Sequence, residues 1–323
     1  MSENLRAGAE NPLPATLGGA AWRPRAATHA EEVARGERWA RVGCNSEVAP
    51  LEAVMLSVPG EELLYSASPD EMLMLERPEL DALRLEFQAI EAFYRSQGVE
   101  VHLCRPPVPP PPNFLFMRDL FFMTPEGAVL ARMAAEQRAG EERHAALGLA
   151  GLGVPLLLTP RERATFEGAD ALWLNEQTVL LGLGRRTNRE GCRQLAGLMV
   201  DLGVHVLPVE LPPGVQHLLG VCNFVDRDLA VVDEARLPAA LDAILERHGV
   251  KTLRLQPCDE LARGRAMNFV TLGPRRLVMP AGCPATRARY EAAGLECHEL
   301  EVTQVLRAAG ALGCLTGILR RAW

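Results

Sequence analysis

The sequence predicts an α/β fold built as an array of about five similar units, and three observations predict it. Pairs of short apolar, β-rich runs recur around polar turns. Their turn centres, Glu126, Asn175, Asp226 and Pro274, follow one another at 49, 51 and 48 residues. Most pairs are followed by a stretch of helical spacing and then one more short strand. A unit repeating at a fixed period signals a circular or stacked array rather than an open doubly wound sheet. Even spacing of the strands in any α/β protein would give a similar impression.

The first 30 or so residues are rich in Ala, Gly and Pro without a clear period. Residues 1–40 are therefore expected to be a mobile or irregular arm, and residues 41–323 one domain. The amphipathic stretch Pro78 to Gln97 reads as a helix ending at Gly98 and leading into the strand Val99 to Leu103. The run Pro106 to Pro112 is too short for an interdomain linker and stiffens a loop that delivers Asn113 to Asp119. Leu120 to Met133, Ala171 to Gly184, Phe224 to Asp233 and Phe269 to Pro280 read as hairpins. Thr187 to Leu202 and Leu237 to His248 carry helical spacing, and each leads into another short strand.

Composition narrows the function classes. The 323 residues carry 34 Lys+Arg against 41 Asp+Glu, for a net charge of -7. That balance argues against a non-specific nucleic-acid binder or an anionic lipid surface as partner. No apolar run approaches the ~20 residues needed to cross a bilayer. The first 32 residues lack a continuous apolar core of a secretory signal, so a cytoplasmic location is expected. The eight cysteines are scattered with no CxxC pair, so no zinc site of ordinary spacing, and no other metal, is expected. In a reducing compartment they would be free thiols, and most free thiols are packing.

Polar clusters sit at the ends of the apolar strands, where a ring of units would gather them at one centre. They are Asn113 with Arg118 and Asp119, Glu167 with Asp170, Arg185 and Arg186 before Thr187 and Asn188, His217, and Cys314. Taken singly, each has an ordinary explanation. A lone histidine beside an apolar run is usually structural, and a cysteine among small residues is usually buried packing. Gly182-Leu183-Gly184 could suggest a dinucleotide loop, but the third glycine of that motif would fall at Thr187. No phosphate-binding loop, HExxH or GxSxG motif is present.

Together the clusters resemble a known pattern. Asn45-Ser46-Glu47-Val48, followed by Leu51 to Leu56 and Pro59-Gly60, is similar to the opening strand of the arginine deiminases. Pro112 to Asp119 (PNFLFMRD) resembles their PNxxFxRD, and Glu167-Gly168-Ala169-Asp170 their EGGD. Gly182 to Asn188 resembles their segment ending RTN. His217-Leu218 with Asp226-Arg227-Asp228-Leu229 resembles their HLD segment and the hairpin after it, and Cys314-Leu315-Thr316 their HCxT. From about Cys44 onward, then, the chain resembles the guanidine-modifying superfamily. That superfamily includes arginine deiminases, dimethylarginine dimethylaminohydrolases and amidinotransferases.

The resemblance implies the pentein fold, a five-bladed α/β propeller of pseudo-repeated ββαβ units. It implies Cys314 as nucleophile, His217 as general acid/base and Glu167 as its support or as a guanidinium ligand. Asp119 and Asp170 would hold the guanidinium, and Asn113 would line the substrate site. Arg186, with Arg185, would clamp an α-carboxylate. No cofactor is implied, the partner is a small guanidino substrate, and a homo-oligomer is compatible with the pattern.

The chain also departs from that pattern. Deiminases carry Asp two residues after the histidine, where this chain has Leu219. Losing that carboxylate weakens the case for unsubstituted arginine, because a desolvated cation would lack a partner. It leaves a less polar wall that could accept an N-alkyl group, as in the dimethylarginine hydrolases. Gly313 stands where the deiminases have His before the cysteine. The expected activity is hydrolysis of the guanidino group of arginine or a substituted arginine. The alternatives are transfer of the amidino group to an amine and a non-catalytic ligand-binding relative.

Overall fold

The computed structural model describes residues 13–64 and 67–322. Among these, fifteen strands form five three-stranded sheets. The second sheet is β3 (Phe121–Thr124), β4 (Gly127–Leu130) and β5 (Leu156–Leu158). The third is β6 (Ala171–Asn175), β7 (Thr178–Leu183) and β8 (His205–Glu210). The fourth is β9 (Cys222–Asp226), β10 (Leu229–Asp233) and β11 (Lys251–Leu255). The fifth is β12 (Val270–Gly273), β13 (Arg276–Pro280) and β14 (Glu296–Leu300). In each, a hairpin pairs antiparallel, a helix crosses over, and a third strand adds in parallel to the middle one.

The first sheet is assembled from both ends of this ring. Strand β1 (Leu51–Ser57) pairs in parallel with β2 (Glu100–Cys104) and antiparallel with β15 (Gly317–Arg321). All five units are therefore ββαβ blades, and the expected propeller is the fold observed.

The crossover helices are Leu80–Ser96, Glu141–Gly151, Arg189–Asp201, Ala239–Arg247 and Pro284–Ala292. Leu80–Ser96 shows the logic: Leu83, Phe87, Ile90 and Tyr94 recur at three- and four-residue steps and are its buried face. The hairpin strands are almost wholly buried, so they read as continuous apolar runs rather than as alternating ones. No helix among the described residues is long and apolar enough to cross a membrane.

The lead-in differs from the expected irregular arm. Residues 1–12 lie outside the described residues, but His29–Arg35 is a helix. Thr28 and Glu31 form a capping box, and Val33 is fully buried in the main core cluster. Glu32, also buried, holds Arg25 and Arg38. Part of this segment is thus pinned by apolar burial and by a charge network.

Candidate active site

The first strand of each hairpin, and β15 in the first sheet, is preceded by a short polar segment. Asp119 lies in the turn of helix Met117–Leu120 before β3. Glu167 and Asp170 flank the tight turn before β6, and His217 opens the one before β9. Cys314 lies in the helical turn Leu312–Leu315 before β15. The ring brings these segments together, as their positions in the repeat anticipated.

Close backbone approach makes the meeting possible. A Cβ on Gly168 would lie 2.3 Å from the Phe121 carbonyl oxygen and 2.6 Å from that of Arg118. Only glycine lets the turn carrying Glu167 rest on the segment carrying Asp119. Gly182 has a comparable task, since a Cβ there would meet Asp170 Oδ1 at 2.9 Å. The Gly-Leu-Gly segment therefore makes room for a carboxylate inside the protein.

Glu167 is fully buried and both of its oxygens are engaged. Oε2 lies 2.7 Å from His217 Nε2 and 3.7 Å from Arg138 Nη1. Oε1 accepts from the Ala134 backbone N–H at 3.2 Å and from Arg186 Nη1 at 3.4 Å. Burial alone would push Glu167 up, but His217, Arg138 and Arg186 overcome it and hold the carboxyl at about 2. Burial likewise works against a charged His217. The charge of Asp119, the Glu167 hydrogen bond and the charge of Asp170 win and raise it to about 9. The pair is an imidazolium facing a carboxylate.

Asp119 is different. Its Oδ2 accepts from Arg138 Nη1 at 2.7 Å, while its buried Oδ1 has no hydrogen-bond donor. His217 Nδ1 lies 3.7 Å from Oδ1. Cys314 is close enough that Asp119 raises its thiol pKa, in the same direction as burial.

Arg138 is the residue the motifs missed. It is 2% exposed and donates to both Asp119 and Glu141, from beside the Phe116 ring. Burial pushes Glu141 up to about 7, partly offset by Arg138. The signal was a charged pair three residues apart, Arg138 and Glu141, but its second partner, Asp119, lies 19 residues back in sequence. Donor atoms of Asp119, Glu167 and His217 lie within 4.8 Å of one another, a spacing a cation could bridge. The Arg138 guanidinium already supplies that positive charge.

The remaining expected residues stand further out. Asp170 is fully buried, and its Oδ1 accepts from the Leu218 backbone N–H at 3.0 Å, tying the third blade to the fourth beside His217. Burial raises its carboxyl to about 6. The Asn113 side-chain amide donates to the Met72 carbonyl, and the Asn113 backbone carbonyl accepts from Arg138. Arg186 is turned onto Glu167, and Arg185 is exposed. Leu219 is buried in an apolar cluster with Val48, Leu172 and Phe224, and lines a small cavity with Glu47 and Arg118. Glu47, the carboxylate nearest this gap, is occupied by Arg118 and the Trp173 backbone N–H.

Comparison with known proteins agrees with this geometry. The arginine deiminase family matches residues 105–251. An uncharacterized protein of Aeropyrum pernix is 32% identical over 189 residues, covering 58% of this chain. The chain spans 66% of that relative's length. An N(G),N(G)-dimethylarginine dimethylaminohydrolase of Mycobacterium tuberculosis is 26% identical over 74% of this chain and 76% of its own. Among solved structures, the dimethylarginine dimethylaminohydrolase of Pseudomonas aeruginosa complexed with citrulline superposes with a TM-score of 0.69. It covers 84% of this chain and all of its own, at 20% identity. With five ββαβ blades and the polar segments gathered ahead of their first strands, the chain has the fold of these structures, and residues 105–251 match the arginine deiminase family.

Proposed function

We propose that the protein is a cysteine hydrolase acting on the guanidino group of arginine or an N-substituted arginine. The observation that carries this reading is Asp119 Oδ1, a buried carboxylate oxygen without a donor. A buried acceptor left bare is costly, and a cationic N–H ligand is the group that relieves it. Asp119 thus holds a guanidinium beside Cys314. Glu167, with both oxygens engaged, positions and charges His217.

The steps follow from this arrangement. The Cys314 thiolate attacks the guanidinium carbon, and a C–S bond forms. His217 Nε2 is occupied by Glu167, so Nδ1 delivers a proton to the departing nitrogen as the C–N bond breaks. Ammonia or an alkylamine leaves, and an S-linked thiouronium remains. Water attacks this carbon, neutral His217 takes its proton, and the thiolate is expelled. The products are a ureido compound and the free enzyme. The apolar side chain of Leu219, where deiminases carry Asp, favours an N-alkylated substrate over free arginine.

The test is incubation with arginine, N-methylated arginines and agmatine, assaying ureido product and released amine. Ureido product from one of these supports hydrolysis. Product that appears only when an amine acceptor such as glycine is added would assign amidino transfer instead. No reaction of any guanidine would sink both.

A further inference from the structure

Cys314 is clasped by a side chain of the fifth blade. Asn268 Nδ2 donates to Cys314 Sγ at 3.1 Å, and Asn268 Oδ1 accepts from the Cys314 backbone N–H at 3.0 Å. The Asn268 carbonyl also accepts from the Gly313 N–H at 3.1 Å. The amide's orientation follows from chemistry: a backbone N–H can only donate, so it takes Oδ1 and leaves Nδ2 for the sulfur.

The clasp is built rather than incidental. Asn223 Nδ2 donates to the carbonyls of Met267 and Phe269, holding the backbone on both sides of Asn268. The Asn268 N–H donates to the Arg265 carbonyl at 2.7 Å, closing a turn in which Arg265 adopts φ +49°. The position also belongs to the repeat. Asp119, Asp170, Leu219 and Asn268 follow one another at 51, 49 and 49 residues, each just ahead of its blade's first strand.

Space at the neighbouring residue completes the picture. A Cβ on Gly313 would lie 2.9 Å from Asn268 Oδ1 and 3.2 Å from the Phe269 carbonyl oxygen. The amide closes on the cysteine because residue 313 has no side chain.

Resting on the reading of Cys314 as nucleophile, we infer that Asn268 is a catalytic residue: an amide donor that stabilises the Cys314 thiolate, admitted by glycine at 313. An N–H aimed at sulfur binds the anion more strongly than the thiol. It works with Arg265 and against burial and Asp119, the charged groups that face this thiol. The same donor serves the sulfur again when water expels it from the thiouronium.

The test uses the full-length protein and iodoacetamide. Alkylation of the Cys314 peptide is followed by mass spectrometry across pH, which separates it from the other seven thiols. N268D keeps an acceptor for the Cys314 N–H but replaces the donor with a carboxylate, while N268A removes both. In both variants the alkylation midpoint rises, and the rate at neutral pH falls about tenfold or more, the worth of a hydrogen bond to a charged group. G313A moves the profile in the same direction by crowding the amide.

A wild-type midpoint in folded N268D overturns the inference and leaves Asn268 as a loop anchor through Oδ1. Should N268D not fold, a wild-type midpoint in N268A overturns it equally. Alkylation needs no substrate, so absence of guanidine turnover would count against the hydrolase reading while this test still decides the clasp.

Discussion

His217 Nε2 and Glu167 Oε2 meet at 2.7 Å inside the protein, with Glu167 fully buried. Their contact adds to the charge of Asp119 in keeping His217 protonated, and it leaves Nδ1 as the ring nitrogen not held by Glu167. In E167Q the hydrogen bond survives but the charge does not, so His217 should titrate well below its wild-type value of about 9. The alkaline limb of the kcat/KM profile should move down accordingly. The rate at pH 8 should fall by about 10²-fold or more, the ordinary worth of a positioned acid. An unmoved alkaline limb would show that His217 is not the proton donor.

The same pair makes a stability prediction whose sign is fixed. His217 is raised in the folded state, so its contribution is complete below its unfolded value near 6.5. It is lost as pH rises through about 9. The urea midpoint should therefore fall between pH 7 and 10 in the wild type. It should fall less in H217N, which carries no titrating imidazole.

Cys314→Ser should lose turnover by at least about 10³-fold, since the hydroxyl is a far weaker nucleophile at neutral pH. Its thermal midpoint should stay close to wild type, because sulfur and oxygen differ little in size. Rapid quench with substrate followed by mass spectrometry should give a covalent adduct on wild-type Cys314 and none on C314S. Full activity in C314S would remove the nucleophile assignment.

Arg138 holds the negative charge of Asp119, Glu141 and Glu167 together from a site 2% exposed. R138M should cost about 3–5 kcal/mol by urea unfolding, because it strands buried carboxylates. R138K should restore little of it, since an ammonium cannot reproduce the fork that spans two carboxylates. A loss below about 1 kcal/mol would mean that those groups take up protons at little cost.

L219D tests the substrate side. The new carboxylate should raise kcat/KM for arginine relative to N-methylated arginines, at some cost in stability because Leu219 is 5% exposed in an apolar cluster. An unchanged ratio would mean that residue 219 does not face the guanidinium.

The repeat was legible because turn chemistry at Glu126, Asn175, Asp226 and Pro274 keeps an even spacing, and spacing survives sequence drift. Asp119, Glu167, His217 and Cys314 were legible because short motifs carry them. Arg138 was not, because a buried ion pair is defined by a partner 19 residues away and by the absence of water. Asn268 could have been found: it falls on the same step as Asp119, Asp170 and Leu219. The helix His29–Arg35 was announced by Thr28 and Glu31 as a capping box, yet the surrounding Ala and Gly hid it. Asp170 and Asn113 carry motif positions, but the backbone contacts that engage them, Leu218 and Met72, appear only when distant segments meet.

The pairing of β15 with β1 has a consequence for biogenesis. Cys314, the proposed nucleophile, sits three residues ahead of the strand that shuts the ring, whereas His217, Glu167, Asp119 and Asn268 all belong to blades completed earlier in the chain. A ribosome would release four finished blades before the thiol has anywhere to dock. Reactivity of Cys314 is therefore expected to arrive with ring closure itself, and a chain whose β15 has not yet paired with β1 would carry it as an ordinary, unprimed cysteine.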